Sequence, residues 1–154
     1  MPARVYVLDA AEAPALKKML EYDPYLDQNA IPKMPKEWGD AKYRGAHPEL
    51  AQQIEAKEKE IAQALGRLKN DREMNIIFAR QDYQLKDGIS LGLDREKSYL
   101  YLSANDQFLD GADAKLRKNF KSIQRADAAT EQKIIGMIDE EKSRADAGMG
   151  LIFG

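Results

Sequence analysis

The sequence predicts an α+β domain, a mostly antiparallel sheet of about four strands with helices packed on one face. Three observations carry that expectation. Strand-like and helix-like segments come in runs rather than in strict alternation, which argues against a doubly wound parallel sheet. The composition, 44% hydrophobic and 32% charged over 154 residues, suits one core beneath a well-solvated surface. Several segments keep a clear apolar period of 2 or of 3 to 4 residues. The expected order is β-α-(long loop)-α-β-β-β-α-α, a single domain over residues 1–154 with a long loop at 23–46.

Arg4-Val5-Tyr6-Val7-Leu8 is β-branched and aromatic and reads as the first strand. Asp9, a group of alanines and Pro14 then lead into a helix carrying Leu16, Met19 and Leu20. From Asp23 to Ala46 prolines and glycines punctuate the chain and no period persists, which predicts a loop. His47-Pro48 opens a helix, since proline is tolerated in a first turn. Leu50, Ile54, Ile61, Leu65 and Leu68 form its apolar stripe, and Asn70 marks its end as a left-handed cap.

Met74 to Ala79, with contiguous Ile76, Ile77 and Phe78, predicts a buried strand. Ile89, Leu91 and Leu93 alternate with polar or small residues, and the alternation resumes at Leu100 and Leu102. These predict a hairpin whose leucines face in and whose Tyr99 and Tyr101 face out. Asn105 or Asp106 caps a helix with Leu109, Ala112, Leu116, Phe120 and Ile123 on one face. Asp127 or Thr130 starts the last helix, Gly148 is placed to stop it, and the apolar Met149–Phe153 tail is expected to add an edge strand or to pack on a partner.

The chain has no cysteine and a single histidine, His47. Thiolate metal sites, iron–sulfur clusters and a thiol nucleophile are therefore excluded, and no multi-histidine metal site can form. Asp106, Asp110 and Asp113 share a helix face, but no second carboxylate cluster completes a site, so no metal or cofactor is expected. Apolar runs fall far short of the roughly 20 residues needed to cross a bilayer, and no secretory signal is read, so a cytoplasmic location without membrane association is expected. The formal charge of −2 offers nucleic acid no global attraction.

Chemistry-bearing residues gather in two places. The long loop carries Tyr25, Trp38, Tyr43 and His47, a set suited either to a ligand or partner surface or to an Ω-like loop pinned by its own rings. Lys115, Arg117, Lys118, Lys121 and Arg125 form a basic run beside the hairpin tyrosines. Together these resemble in principle a stacking platform with a phosphate stripe, or otherwise an ordinary solvated face. No catalytic signature is present. The leading expectation is a non-enzymatic binding or protein-interaction domain that self-associates, with a protein partner next. The alternatives are binding of RNA or single-stranded DNA, or a small-molecule enzyme built on the aromatic loop.

Overall fold

Strand β1, Ala3–Asp9, forms where β-branched and aromatic residues leave few alternatives, and its Val5, Tyr6 and Leu8 are fully buried. A short 3-10 turn leads into helix α1, Ala13–Glu21, whose Leu16 and Leu20 lie at i, i+4 and are fully buried. The remaining elements are α2 (Ala41–Ala46), α3 (Ala51–Asn70), β2 (Asp82–Asp87), β3 (Lys97–Ser103), α4 (Asp106–Asn119), β4 (Gln124–Arg125) and α5 (Ala128–Phe153). This computed structural model describes residues 1–153, with side chains for residues 1–148. The chain divides into two units, one of residues 1–21 with 78 onward, the other Tyr22–Ile77.

In the first unit the four strands form one antiparallel sheet in the order β2-β3-β1-β4. The α+β class and antiparallel sheet are thus as the sequence indicates. Helices cover the second face as well. Val5, Tyr99 and Tyr101 share one face and pack with Ile134 and Ile138 of α5. On the opposite face Arg4 reaches Asp110 at 2.9 Å and the Tyr6 hydroxyl donates to Asp113 at 2.9 Å, both on α4. Every residue of β3 from Ser98 to Ser103 is buried.

That arrangement corrects the expected facing of the hairpin. Leu100 and Leu102 are buried, yet Tyr99 and Tyr101 are only 7% and 4% exposed. The reason is α5: its Ile134 and Ile138, one turn apart, need an apolar surface, and the two tyrosine rings supply it. Lys142 lies 5.2 Å from the Tyr101 ring centroid and pairs with Asp82, closing the rim of that contact.

Two expected strands lie elsewhere. Across Met74–Ala79 the Asp71 carboxylate accepts the N–H of Glu73 and Met74 at 2.9 and 3.0 Å, and this local capping bends the chain before it can extend. Ile89–Leu93 is part of the β2–β3 connection, while the strand itself is Asp82–Asp87, where Tyr83 and Leu85 alternate with polar residues. Likewise α5 runs through Gly148 to Phe153, so the tail is not an edge strand. A glycine inside a helix costs only about 1 kcal/mol against alanine, and the side chains of Met149–Phe153 lie outside the described residues. Asn105 caps α4, accepting the Phe108 N–H at 2.8 Å, and Asp127 accepts that of Thr130 at 2.8 Å at the start of α5.

The β2–β3 connection is tight because of Gly88. Its N–H donates to the Lys97 carbonyl at 2.9 Å, and its own carbonyl accepts from Leu93 at 2.8 Å. A Cβ there would lie 1.8 Å from the Asp94 carbonyl oxygen. Gly92 sits at φ 68°, in the left-handed region that other residues enter at a cost. This folded turn swings Leu91 into the α5-side core.

The outer edge of β1 is sealed by more than β4. The Val5 N–H donates to Glu131 Oε2 at 3.0 Å, the Asp9 N–H to Ser122 Oγ at 2.9 Å, and the Val5 carbonyl accepts from Ala126 at 2.9 Å. Glu131 also holds Arg125 through two bonds of 2.6 and 2.8 Å. Burial acts to raise the Glu131 carboxyl, but the bonds from Arg125 and the Val5 N–H outweigh it and hold the group below its ordinary value.

In the second unit, 3-10 turns at Pro24–Leu26, Lys36–Gly39 and Pro48–Leu50 frame α2 and lead into α3. The 23–46 segment therefore carries a short helix and turns; Asp23 starts the first turn by accepting the Tyr25 N–H at 2.9 Å, and Asp40 starts α2 by accepting that of Lys42 at 3.0 Å. Ala64 and Leu68 of α3 pack on Ile31, flanked by Tyr25 and Ile61. α3 ends at Asn70 as expected, but the following Asp71 has φ −86°, not a left-handed cap. No helix among the described residues is long and apolar enough to cross a membrane.

Gly88→Ala is expected to lower stability by about 3 kcal/mol, because the new methyl meets backbone that cannot swing aside. Gly92→Ala is expected to cost about 1 kcal/mol, the penalty of left-handed backbone; urea melts of the two variants measure the order. The Glu131 contribution also has a sign in pH. Its carboxyl is depressed in the fold, so the stability is present above the ordinary carboxylate range near about pH 4 and is lost as pH falls through the folded value. Glu131→Gln is therefore expected to lower the melting temperature at neutral pH and to flatten its fall on acidification.

Candidate functional site

The aromatic residues singled out in the sequence converge only in part. Asp40 starts α2, which carries Tyr43 and Arg44 side by side and ends at His47, one turn on from Tyr43. The Tyr43 and His47 rings lie 4.3 Å apart, tilted by 37°. Arg44 organises the rest: its Nε donates to the Trp38 carbonyl, and its Nη2 reaches Glu58 of α3 at 3.1 Å and the Met34 sulfur at 3.8 Å. One guanidinium thus ties a turn and two helices together, a task suited to its planar fork of donors. Trp38, Tyr43 and His47 are half-buried. Tyr25 is half-buried too, but it packs with Ile31 and Leu68 in the small core of this unit.

Beside Arg44 opens a groove of about 190 Å³ lined by Arg44, Ala51, Ile54, Glu55 and Glu58. Ile54 is 5% exposed and gives it an apolar floor. Glu58 is held by Arg44, whereas Glu55 has no ion-pair partner among the described residues. Small-molecule pockets run from about 300 to 1,000 Å³, so this volume suits one or two side chains of a bound segment rather than an enclosed substrate.

His47 does meet a carboxylate, Glu49 Oε1 at 3.0 Å from Nδ1, with the two side chains 41% and 65% exposed. Hydrogen bonds from its own backbone N–H and from the His47 ring hold the Glu49 carboxyl below its ordinary value. Such a pair can orient a general base, but His47 does not line the groove.

The second predicted surface is dispersed. Tyr99 and Tyr101 lie under α5, leaving no ring free to stack a base. Along the basic run, Lys115 stands 5.7 Å from the Phe78 ring, Arg117 pairs with Asp113 at 2.9 Å and Arg125 is held by Glu131. Lys118 and Lys121 are exposed at the end of α4 and just beyond it. Burial acts to raise the Asp113 carboxyl, but bonds from Arg117 and Tyr6 hold it below its ordinary value. Asp110 and Asp113 are thus structural partners of Arg4 and Tyr6, and no group of three metal-ligating side chains occurs among the described residues.

Comparison with protein-family models, with curated protein sequences and with solved structures finds no match to this chain. The groove beside Arg44 is what sequence reading missed. Its signal was present as Arg44, inside the segment expected to be a loop, and Glu58, its opposite charge on the helix that follows.

Arg44→Ala is expected to release the 36–39 turn, at a cost of about 1 to 2 kcal/mol for a charge-assisted bond to a half-exposed group. Trp38 is the single tryptophan, so its fluorescence reports the change directly: the emission should shift to longer wavelength while α-helical circular dichroism is largely kept.

Proposed function

We propose that the chain is a non-enzymatic protein-interaction domain that grips one or two side chains of a partner segment in the groove beside Arg44. The observation that carries the reading is that groove: too small for a typical enclosed substrate, floored by buried Ile54, and walled by the cation of Arg44 and the carboxylates of Glu55 and Glu58. An apolar floor supplies affinity through burial, and the charged rim supplies selectivity. Glu55, which has no ion-pair partner among the described residues, favours a segment that offers a basic residue next to an aliphatic one. Half-buried Trp38 and Tyr43 flank Arg44 and add amphipathic contact area of the kind enriched in recognition surfaces.

The test is selection of peptides from a displayed random library against the whole chain, followed by titrations read through Trp38 fluorescence. Enriched sequences should pair an aliphatic with a Lys or Arg. Ala51→Lys fills the groove from an exposed position and should weaken binding by about tenfold or more, the scale of 1.4 kcal/mol. Selection that enriches nothing, or peptides that bind Ala51→Lys equally well, would contradict the reading.

A further inference from the structure

The two edges of the sheet are built differently. On β1 the outward N–H groups of Val5 and Asp9 are taken by the Glu131 and Ser122 side chains, and Tyr6 and Val7 are paired with β4. At the other edge β2 is the last strand, and among the described residues no strand pairs with its outer side. An edge row of free N–H and C=O groups is a template for another strand.

The parity of β2 is set by its turn. The Gly88 N–H donates to the Lys97 carbonyl, in register with the β2–β3 ladder. In an antiparallel pair the bonded residues alternate, so Lys86, Gln84 and Asp82 turn their backbone groups toward β3. Tyr83 and Leu85 turn theirs outward. We propose that this edge pairs, antiparallel and about a two-fold axis, with β2 of a second copy of the chain.

The segment is self-complementary in one register of the correct parity. With Gln84 opposite the partner's Gln84, Tyr83 and the partner's Leu85 exchange backbone bonds, and Asp82 stands directly opposite the partner's Lys86. Unlike charges directly opposite stabilise a cross-strand pair, and these non-hydrogen-bonded positions bring side chains closest. Sliding by two residues in either direction sets Asp82 or Lys86 against Gln84 and loses the charge pairs. The match extends beyond the strand, because Asp82 already holds Lys142 and Lys86 holds Glu141 at 3.5 Å. In the dimer Lys142, Asp82, the partner's Lys86 and the partner's Glu141 would alternate in sign. Charges on an edge strand usually guard against pairing; here each charge meets its opposite, so they select one register and one partner. The contact is isologous and closes on itself, giving a dimer rather than a fibre. It is small beside a standard interface of roughly 1,600 Å², so association depends on concentration. This proposal is independent of the groove reading, since it concerns a different unit and a different observation.

The absence of cysteine makes single-thiol cross-linking a direct test. Under mild oxidation Gln84→Cys should form a disulfide dimer, its Cα atoms meeting within the roughly 4.4–6.8 Å a disulfide spans. Asp82→Cys alone and Lys86→Cys alone should react at least about tenfold more slowly, because neither faces itself across a gap a disulfide can bridge. A mixture of those two variants should cross-link to each other. Leu85→Pro, added to Gln84→Cys, deletes an outward N–H at a position where an edge strand accepts proline, and should slow cross-linking by about tenfold with the circular dichroism unchanged. Equal rates at positions 82, 84 and 86, or no dimer from Gln84→Cys with the thiol accessible to a small alkylating reagent, would overturn the proposal, and the mixture decides the matter independently should the proline variant fail to fold.

Discussion

The complete burial of β3 between two helical layers is the constraint from which the larger unit follows. A central strand with Tyr99 and Tyr101 on one side and Leu100 and Leu102 on the other cannot be left with either face in water. Burying a leucine or an aromatic side chain contributes about 1.5 to 3 kcal/mol, so exposing either row would remove several such contributions from a fold whose net stability is only about 5 to 15 kcal/mol. Covering the tyrosine row is the work of α5, through Ile134 and Ile138, and it withdraws the rings from any role in recognition.

Once both faces are occupied, edges and connections decide what remains available. Side chains from α5 and from the α4–β4 connection close the β1 edge, and Glu131 does so while holding Arg125. Gly88 lets the β2–β3 connection fold tightly enough to bring Leu91 into the same core. In this unit β2 is the edge strand left unpaired in the sheet among the described residues, and in the 22–77 unit Arg44 and α3 form a groove.

Much of the architecture was legible in the residues. The first strand, the long helix after His47, the Asn105 cap and the Leu109, Ala112, Leu116 stripe all declare themselves through local rules, and the structure has them. The facing of Tyr99 and Tyr101 was not legible, because period-2 alternation tells the two faces of a strand apart but does not count the layers stacked on the sheet. Leu91 and Leu93 imitated a strand by alternating with small residues, whereas Asp82–Asp87, mostly polar and at an edge, gave the weaker signal of the two. Met74–Ala79 looked like a buried strand because its apolar run drowned out Asp71, whose carboxylate caps the preceding turn. The candidate site was readable as a list of aromatics but not as a groove. Arg44 joins Trp38 to Glu58 across a sequence separation that no local pattern reveals.

Amide hydrogen exchange, followed residue by residue by NMR in dilute solution, measures this account most directly. With both faces covered and only one edge sealed, the amides of Val5, Asp9 and Tyr99 to Leu102 should exchange at least on the order of a hundredfold more slowly than those of Tyr83 and Leu85, since protection follows the opening free energy of each hydrogen bond. Protection of Tyr83 and Leu85 equal to that of Val5 and Asp9, or rapid exchange through Tyr99 to Leu102, would contradict it.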